Sequence, residues 1–130
     1  MQNAKDIELK YFGITGLGEC IRATLALSGT AFKDTKITGP EWGALKATLP
    51  AGSQLPIFEM TTADGERLTL SQSRAILRLC GDLTYEGKAL YPTDAMERFY
   101  CDEAIEMVED FRPYMVPSFS IADQAEKDLN

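Results

Sequence analysis

Histidine is absent from this 130-residue chain, and cysteine is rare, with three residues at positions 20, 80 and 101. Without histidine, the Ser-His-Asp and Cys-His arrangements of nucleophilic catalysis are excluded, and a catalytic zinc site would lack its usual ligands, so we expect no metal. The number of cysteines is odd, and no two have Cys-x-x-Cys spacing. The sequence therefore indicates neither a disulfide framework nor a thioredoxin-type redox pair.

Long apolar runs and positive charge are also scarce. No stretch approaches the roughly 20 apolar residues that a membrane-spanning helix needs, and the segment 1–6 lacks the apolar core of a signal peptide. We therefore expect a cytoplasmic protein. The chain has 13 Lys and Arg residues against 20 Asp and Glu residues, a formal net charge of −7. This balance argues against nucleic acid and anionic membranes as partners.

The residues that are present fit a globular protein with a core, because 45% are hydrophobic and 25% are charged. Apolar alternation and turn residues predict a strand at 7–11, a glycine-rich loop at 13–18, a helix closed by Ser28-Gly29, and a strand at 31–37. There follow an irregular segment at 38–54 with a helical turn, strands at 55–60 and 67–70 joined by Asp64-Gly65, and a helix from a Ser71 cap to Gly81. The order predicts a small mixed α/β sheet with helices on its faces.

A longer helix is predicted after the connection at 84–92, with Thr93 or Asp94 as its cap. Its apolar residues recur at helical spacing and form one stripe: Met96, Phe99, Tyr100, Ala104, Met107, Val108 and Phe111. We expect Pro113 and Pro117 to disturb or end this helix.

Several short motifs follow one another along residues 7–112. They are Tyr11-Phe12, Glu19 with Ile21-Arg22, Trp42, Lys46, Leu49-Pro50, Gln54 to Ile57, Leu70 to Ile76, Gly87 to Pro92 and the helix around Asp102. In order and spacing they resemble the N-terminal half of the cytosolic glutathione transferases that use a tyrosine, namely the sigma, mu, pi and alpha classes. The resemblance implies a thioredoxin-like βαβ-ββα domain at 1–84. At 85–130 it implies a linker and the first helix of an all-α domain, which the chain leaves incomplete.

Tyr11 is the catalytic candidate that the resemblance supplies. A free thiol has a pKa near ~8.5, so little of it is ionised at neutral pH. A phenol that donates a hydrogen bond to the sulfur of glutathione, the co-substrate, would favour the thiolate. The alternative is a structural tyrosine whose hydroxyl faces solvent.

The resemblance also implies the residues that bind glutathione. Gln72 and Ser73 begin a helix, where free backbone N–H groups and the helix dipole favour the γ-glutamyl carboxylate. Leu55-Pro56 is the expected cis dipeptide that pairs with the cysteinyl backbone. As alternatives, Gln72 and Ser73 only cap the helix, and Pro56 is an ordinary trans proline.

Four further candidates complete the predicted site. Trp42 and Lys46 are four residues apart and share a face if their segment is helical, so both could meet the glycyl carboxylate, with Gln54 beside the cysteinyl part. In a homodimer, Asp102 would reach the γ-glutamyl amine of the neighbouring chain. The alternatives are a buried Trp42, a solvated Lys46, and an Asp102 that is one more acid in an acidic helix.

The match has departures. Thr15 and Leu17 stand where the tyrosine classes usually carry arginines, and the loop 50–54 is one residue longer than the common form. Cys20 follows the place where cysteine-using relatives carry their nucleophile. We expect Cys20, Cys80 and Cys101 to be small buried residues.

The leading hypothesis is an enzyme whose bound glutathione thiolate attacks an electrophilic small molecule, in detoxification, or serves an isomerase reaction. The alternative is a non-catalytic module that binds glutathione or dimerises, because the helices that wall the electrophile pocket are missing. Either the sequence is truncated or it is a natural short form, and a short form would expose the apolar face of the long helix. A glutaredoxin-like oxidoreductase fails for want of a cysteine at the first helix.

Overall fold

A computed structural model divides the chain into two compact units, Met1–Tyr91 and Pro92–Asn130. It describes residues 3–128, with side chains up to residue 114. The first unit contains β1 (Lys5–Tyr11), α1 (Glu19–Leu27), β2 (Lys33–Lys36), α2 (Gly39–Lys46), β3 (Ile57–Thr61), β4 (Arg67–Leu70), α3 (Ser73–Cys80), β5 (Thr84–Tyr85) and β6 (Lys88–Ala89), and the second contains α4 (Ala95–Asp128). The domain boundary expected after residue 84 stays a prediction.

The main sheet has four strands in the order β2-β1-β3-β4. β1 runs parallel to β2, while β3 runs antiparallel to both β1 and β4, which confirms the predicted mixed sheet. Because β3 runs against its two neighbours, its amino end lies beside the carboxyl ends of β1 and β4. Tyr11, Leu55-Pro56 and Gln72 stand at these strand ends, and we call this end of the sheet the site rim.

The main core lies between one face of this sheet and two helices. Residues alternate along β1, so that Ile7 and Leu9 are buried while Glu8 and Lys10, each of which follows one of them, are half-buried on the other face. The buried residues of the cluster are Ile7, Leu9, Ile21, Leu25, Phe58, Met60, Ile76, Cys80 and Leu83. Burial raises the pKa of the Cys80 thiol to about 12, which makes this cysteine an inert core residue.

The opposite face of the sheet carries ion pairs. Lys10 and Arg67 both pair with Glu59, the Arg67 Nη2 atom at 2.8 Å, and Glu8 accepts hydrogen bonds from Thr35 at 2.6 Å and Lys33 at 3.1 Å. Burial alone would raise the pKa of the Glu59 carboxyl, but the hydrogen bonds from Lys10 and Arg67 outweigh it and lower the pKa. The Glu8 pKa is lowered too, chiefly by the Thr35 hydroxyl.

Two segments are more regular than the sequence analysis expects. The irregular stretch contains the eight-residue helix α2, whose amino end is fixed by a capping box between Thr38 and Glu41. The connection after residue 84 forms the hairpin β5-β6, turned by Glu86 and Gly87, which both have positive φ. Both signals stand in the sequence, as Thr-x-x-Glu and as a glycine between two short strands.

Two expectations about helices are wrong, the Ser71 cap and the effect of the prolines on the long helix, while the Asp94 cap is confirmed. Gln72, not Ser71, occupies the N-cap of α3, with φ 79° and no side-chain cap. α4 begins after the Asp94 cap, whose Oδ1 accepts from the Met96 and Glu97 N–H groups at 2.9 and 3.1 Å, and it continues through Pro113 and Pro117. The cost of an interior proline, about 3 kcal/mol, disfavours a helix without forbidding one, because its φ is helical.

The cysteines differ in exposure. Cys20 is exposed rather than buried, because the inward face of α1 is set by Ile21 and Leu25, four residues apart. Cys80 is buried as expected, and Cys101 is intermediate. Within residues 3–128, no helix is long and apolar enough to cross a bilayer.

Candidate functional site

The site rim gathers most of the predicted binding residues of the first unit. Tyr11 ends β1, Leu55-Pro56 leads into β3, and Gln72 and Ser73 join β4 to α3. Since β3 lies between β1 and β4 in the sheet, the Leu55-Pro56 dipeptide stands between Tyr11 and Gln72. The peptide bond between Leu55 and Pro56 is cis, as the resemblance implied.

Tyr11 is enclosed at the rim, with 6% of its surface exposed. It packs in a second apolar cluster with Leu55 and Ile57, against the half-buried Trp42 of α2. Its hydroxyl oxygen accepts a hydrogen bond from the backbone N–H of Leu17 at 3.1 Å. A phenol has one proton to donate and accepts through its lone pairs. The Tyr11 hydroxyl therefore keeps its proton for another acceptor.

Glycines in the loop before α1 fix the position of the Tyr11 ring. A Cβ atom added at Gly16 would lie 2.6 Å from the Tyr11 hydroxyl oxygen, and one added at Gly18 would lie 2.8 Å from ring atom Cδ1. Gly16 also has a φ of +40°, which side-chain-bearing residues rarely adopt. Bare backbone thus lies against the ring, and larger residues at either position would displace it.

Trp42 and Lys46 lie on one face of α2, as their spacing predicts. The Lys46 Nζ atom is 5.8 Å from the centre of the Trp42 ring, within the range of a cation–π contact. Trp42 is half-buried in the apolar cluster around Tyr11, whereas Lys46 is exposed at the last position of the helix. An exposed ammonium held beside an indole can pair with a carboxylate.

The α3 side of the rim is open. Gln72 is exposed and Ser73, the first helical residue, is half-buried. The first N–H groups of a helix have no intrahelical partner and lie at the positive end of its dipole. With no side-chain cap from Gln72, these groups suit an anion such as a carboxylate.

A cleft of about 390 Å³ borders this side of the rim, a volume in the range of small-ligand sites. Its lining residues are Leu49, Pro50, Ala51, Gly52, Ser53, Ile57, Thr69, Leu70, Ser71 and Gln72. Ser53 was not among the predicted binding residues, yet it is a polar residue only 8% exposed. Gln54 is exposed and is not a lining residue.

Asp102 belongs to the second unit, where it is a half-buried residue of α4. The role expected for it requires a second chain and stays a prediction. The α4 stripe is exposed as expected: Met96, Phe99, Met107, Val108 and Phe111 each keep more than half of their surface accessible.

No family model matches this chain, but it is similar to known proteins, several of which are described as glutathione S-transferases. A Caenorhabditis elegans protein described as probable glutathione S-transferase 7 is 34% identical over 117 residues, which are 89% of this chain and 53% of that protein. The crystal structure of the glutathione S-transferase from Ascaris lumbricoides has a TM-score of 0.68 at 34% identity, covering 88% of this chain and 51% of that one. This chain is homologous to glutathione S-transferases.

The structure of prostaglandin synthase D of Nilaparvata lugens is also similar, with a TM-score of 0.69 at 32% identity over 95% of this chain and 57% of that one. The first unit therefore has the thioredoxin-like fold of glutathione S-transferases. The chain spans about half the length of the curated relatives it matches.

Proposed function

We propose that this chain carries the glutathione-binding half of a glutathione S-transferase and that Tyr11 activates the bound thiol. The observation that carries the proposal is the Tyr11 hydroxyl: it is enclosed at the site rim and accepts from the Leu17 N–H at 3.1 Å. Its proton can be donated to a sulfur, and the polarity of the Leu17 hydrogen bond strengthens that donation.

The chemistry follows from the thiol. Ionisation releases its proton to solvent, and the thiolate accepts the Tyr11 O–H, so that the charged form is favoured and the pKa of the thiol falls. The thiolate then attacks an electrophilic carbon of a small molecule: a C–S bond forms while a leaving group departs with its electron pair, or while a conjugated double bond takes up the pair and is then protonated by solvent. An isomerase reaction is the other use of the same thiolate, and the likeness to prostaglandin synthase D of Nilaparvata lugens supports it.

Glutathione would lie along the rim. Its cysteinyl backbone would pair with the backbone of Leu55, which precedes cis-Pro56. Gln54 would contact the same cysteinyl part. The γ-glutamyl carboxylate would meet the α3 N-terminus at Gln72 and Ser73, and the glycyl carboxylate would meet Lys46 and Trp42. We further propose a cytoplasmic homodimer that detoxifies electrophiles, with Asp102 reaching the γ-glutamyl amine of the neighbouring chain.

Calorimetric titration with glutathione tests this function on the 130-residue chain. We expect the parent to bind and Ser73→Ala to weaken binding by about threefold to tenfold, the effect of one hydrogen bond. Tyr11→Phe should still bind glutathione but raise the pKa of the bound thiol. The absorbance of the thiolate as a function of pH measures this pKa. Tyr85→Phe, which changes a tyrosine 45% exposed on β5, is the matched control. A folded parent that does not bind glutathione overturns the proposal.

One observation favours a second function, a non-catalytic binding or dimerisation module. Four residues of the exposed α4 stripe, Ala104, Met107, Val108 and Phe111, line an open apolar groove of about 480 Å³, and exposed apolar patches mark interaction surfaces. Sedimentation of the same folded chain separates the two functions. A dimer without glutathione binding or thiol activation favours the module, whereas binding with a lowered thiol pKa favours the enzyme.

A further inference from the structure

Arg22 is the charged side chain in contact with the Tyr11 ring. Its guanidinium carbon lies over the ring, 5.9 Å from the ring centre. The aromatic face is electron-rich, so a cation placed over it is attracted. Although Arg22 stands on α1, it reaches back to the residue at the centre of the proposed chemistry.

The same guanidinium ties together three segments around Tyr11. Its Nε atom donates to both carboxylate oxygens of Asp34 on β2, at 3.1 Å each. Its Nη1 atom donates to the Ile14 carbonyl at 3.1 Å and to Glu19 at 3.0 Å. The planar fork of an arginine can make these bonds at once, and a lysine cannot. Arg22 therefore joins the loop, the start of α1 and the second strand.

The position of Arg22 has a cost that a surface ion pair does not have. Its side chain is only 15% exposed, and in the described part of the chain its buried Nη2 atom has no hydrogen-bond partner. Buried donors without partners are rare because they lose their hydration. Burial favours the neutral form, but the hydrogen bonds with Asp34 and Glu19 outweigh it and raise the pKa of Arg22. The Arg22 guanidinium therefore stays charged over the Tyr11 ring.

The charges around Arg22 balance, so its effect is local. The small cavity next to it is lined by Glu19, Asp34 and Lys36 together with Gly13, Ile14 and Thr15. Two cations and two carboxylates give this cluster no net charge at neutral pH. A long-range positive field, of the kind that arginines at positions 15 and 17 would supply, is therefore not what Arg22 provides.

We infer that Arg22 is a positioning residue for Tyr11: it clamps the loop at Ile14 to β2 at Asp34, so that the Leu17 N–H stays on the Tyr11 hydroxyl and the ring keeps its place. Gly18, in the same loop, is close to both the Arg22 guanidinium and the Tyr11 ring. A Cβ atom at Gly18 would lie 3.3 Å from Arg22 Nη1 and 2.8 Å from Tyr11 Cδ1. The effect of the clamp on the thiol rests on the proposed function, whereas its effect on the loop does not.

Hydrogen exchange of the Leu17 amide tests the clamp without glutathione. In Arg22→Lys we expect that amide to exchange about tenfold faster, because its opening no longer breaks the arginine fork. The amides of Ile7 and Leu9 in the middle of β1 should stay unchanged. Arg67→Lys is the matched control, since Arg67 also bonds a carboxylate and a backbone carbonyl, those of Glu59 and Asp6, and should leave Leu17 unchanged. Asp34→Asn releases the same clamp from its other end and replaces Arg22→Lys if that variant does not fold.

The thiol provides the second readout. In Arg22→Lys the pKa of bound glutathione should rise while its Kd stays within about threefold, because no binding residue is altered. Unchanged Leu17 exchange, or exchange that accelerates equally through β1, overturns the inference. A parent that fails to bind glutathione overturns the proposed function instead, and the exchange comparison still decides the clamp.

Discussion

The two sides of the site rim are built differently. On the Tyr11 side, an aromatic ring 6% exposed is enclosed by bare glycine backbone and by the Arg22 fork. On the α3 side, an exposed Gln72 with a positive φ begins a helix and gives its first N–H groups no side-chain cap. Side-chain packing fixes the Tyr11 side, and backbone conformation shapes the α3 side. Chemistry that requires a fixed hydroxyl belongs to the former, and recognition of a carboxylate needs only the latter.

The strongest break in this comparison should come from Gly18→Ala. The added methyl group would lie 2.8 Å from the Tyr11 ring and must push it or the loop aside. We expect a loss of stability of about 1–3 kcal/mol, as for an overpacked core, and glutathione-dependent activity reduced by roughly a hundredfold, as when one pre-aligned donor is lost. Urea unfolding and kcat/KM measure the two effects.

Gly43→Ala is the control for that variant, because Gly43 lies inside α2 with nothing within 4 Å of a new Cβ. The methyl group there should stabilise the protein by roughly 0.5–1 kcal/mol through helix propensity. Equal effects of the two alanines would show that the Tyr11 side is no more tightly packed than a helix surface.

A smaller, opposite effect is expected on the α3 side. Gln72 has a φ of 79°, so Gln72→Gly should relieve backbone strain and raise the free energy of unfolding by about 1 kcal/mol. Glutathione affinity should fall by about threefold to tenfold, because the side-chain amide is lost while the helix N–H groups remain. Urea unfolding measures the expected gain in stability, and calorimetry measures the expected loss of glutathione affinity. A loss of stability would contradict the distinction between the two sides of the rim.

The smallest expected effect is on the stability of the protein at acidic pH, and it should leave both sides of the site rim unchanged. The pKa of Glu59 is lowered in the folded state, so its contribution to stability is present above the unfolded pKa, about 4.5, and is lost as pH falls through the folded value. Glu59→Gln should therefore flatten the acid limb of stability against pH. Urea unfolding between about pH 3 and pH 7 measures the free energy of unfolding. If that free energy falls equally steeply with acid in Glu59→Gln and in the parent, other groups cause the acid sensitivity.

Much of the fold could be predicted because its signals are local. Asp64-Gly65 specifies a hairpin, and Gly65 indeed has positive φ; Gly29 likewise follows α1 with a φ of +68°. Cys20 was misplaced although the spacing of Ile21 and Leu25 already turns it outward. The continuation of α4 through Pro113 could not be predicted, since a local cost does not decide where a long helix ends.

The sequence supplies candidate residues for the site, which stay predictions, and it does not supply their contacts. Tyr11, Trp42 and Gln72 came from the resemblance, and topology then brings Tyr11 and Gln72 to one rim. The hydrogen bond from the Leu17 N–H leaves no trace in the sequence, because a backbone donor has no side-chain signature. The positive φ of Gln72 could not be predicted either, since glutamine has no preference for positive φ.

That hydrogen bond has a consequence for how the protein can evolve. Every amino acid except proline supplies a backbone N–H, so mutations that change the side chain at position 17 leave the donor to Tyr11 in place. Selection can therefore change the half-buried side chain at position 17 without removing the hydrogen bond to the Tyr11 hydroxyl. One codon change, from leucine to proline, is the exception, and we expect natural variation at this position to avoid it.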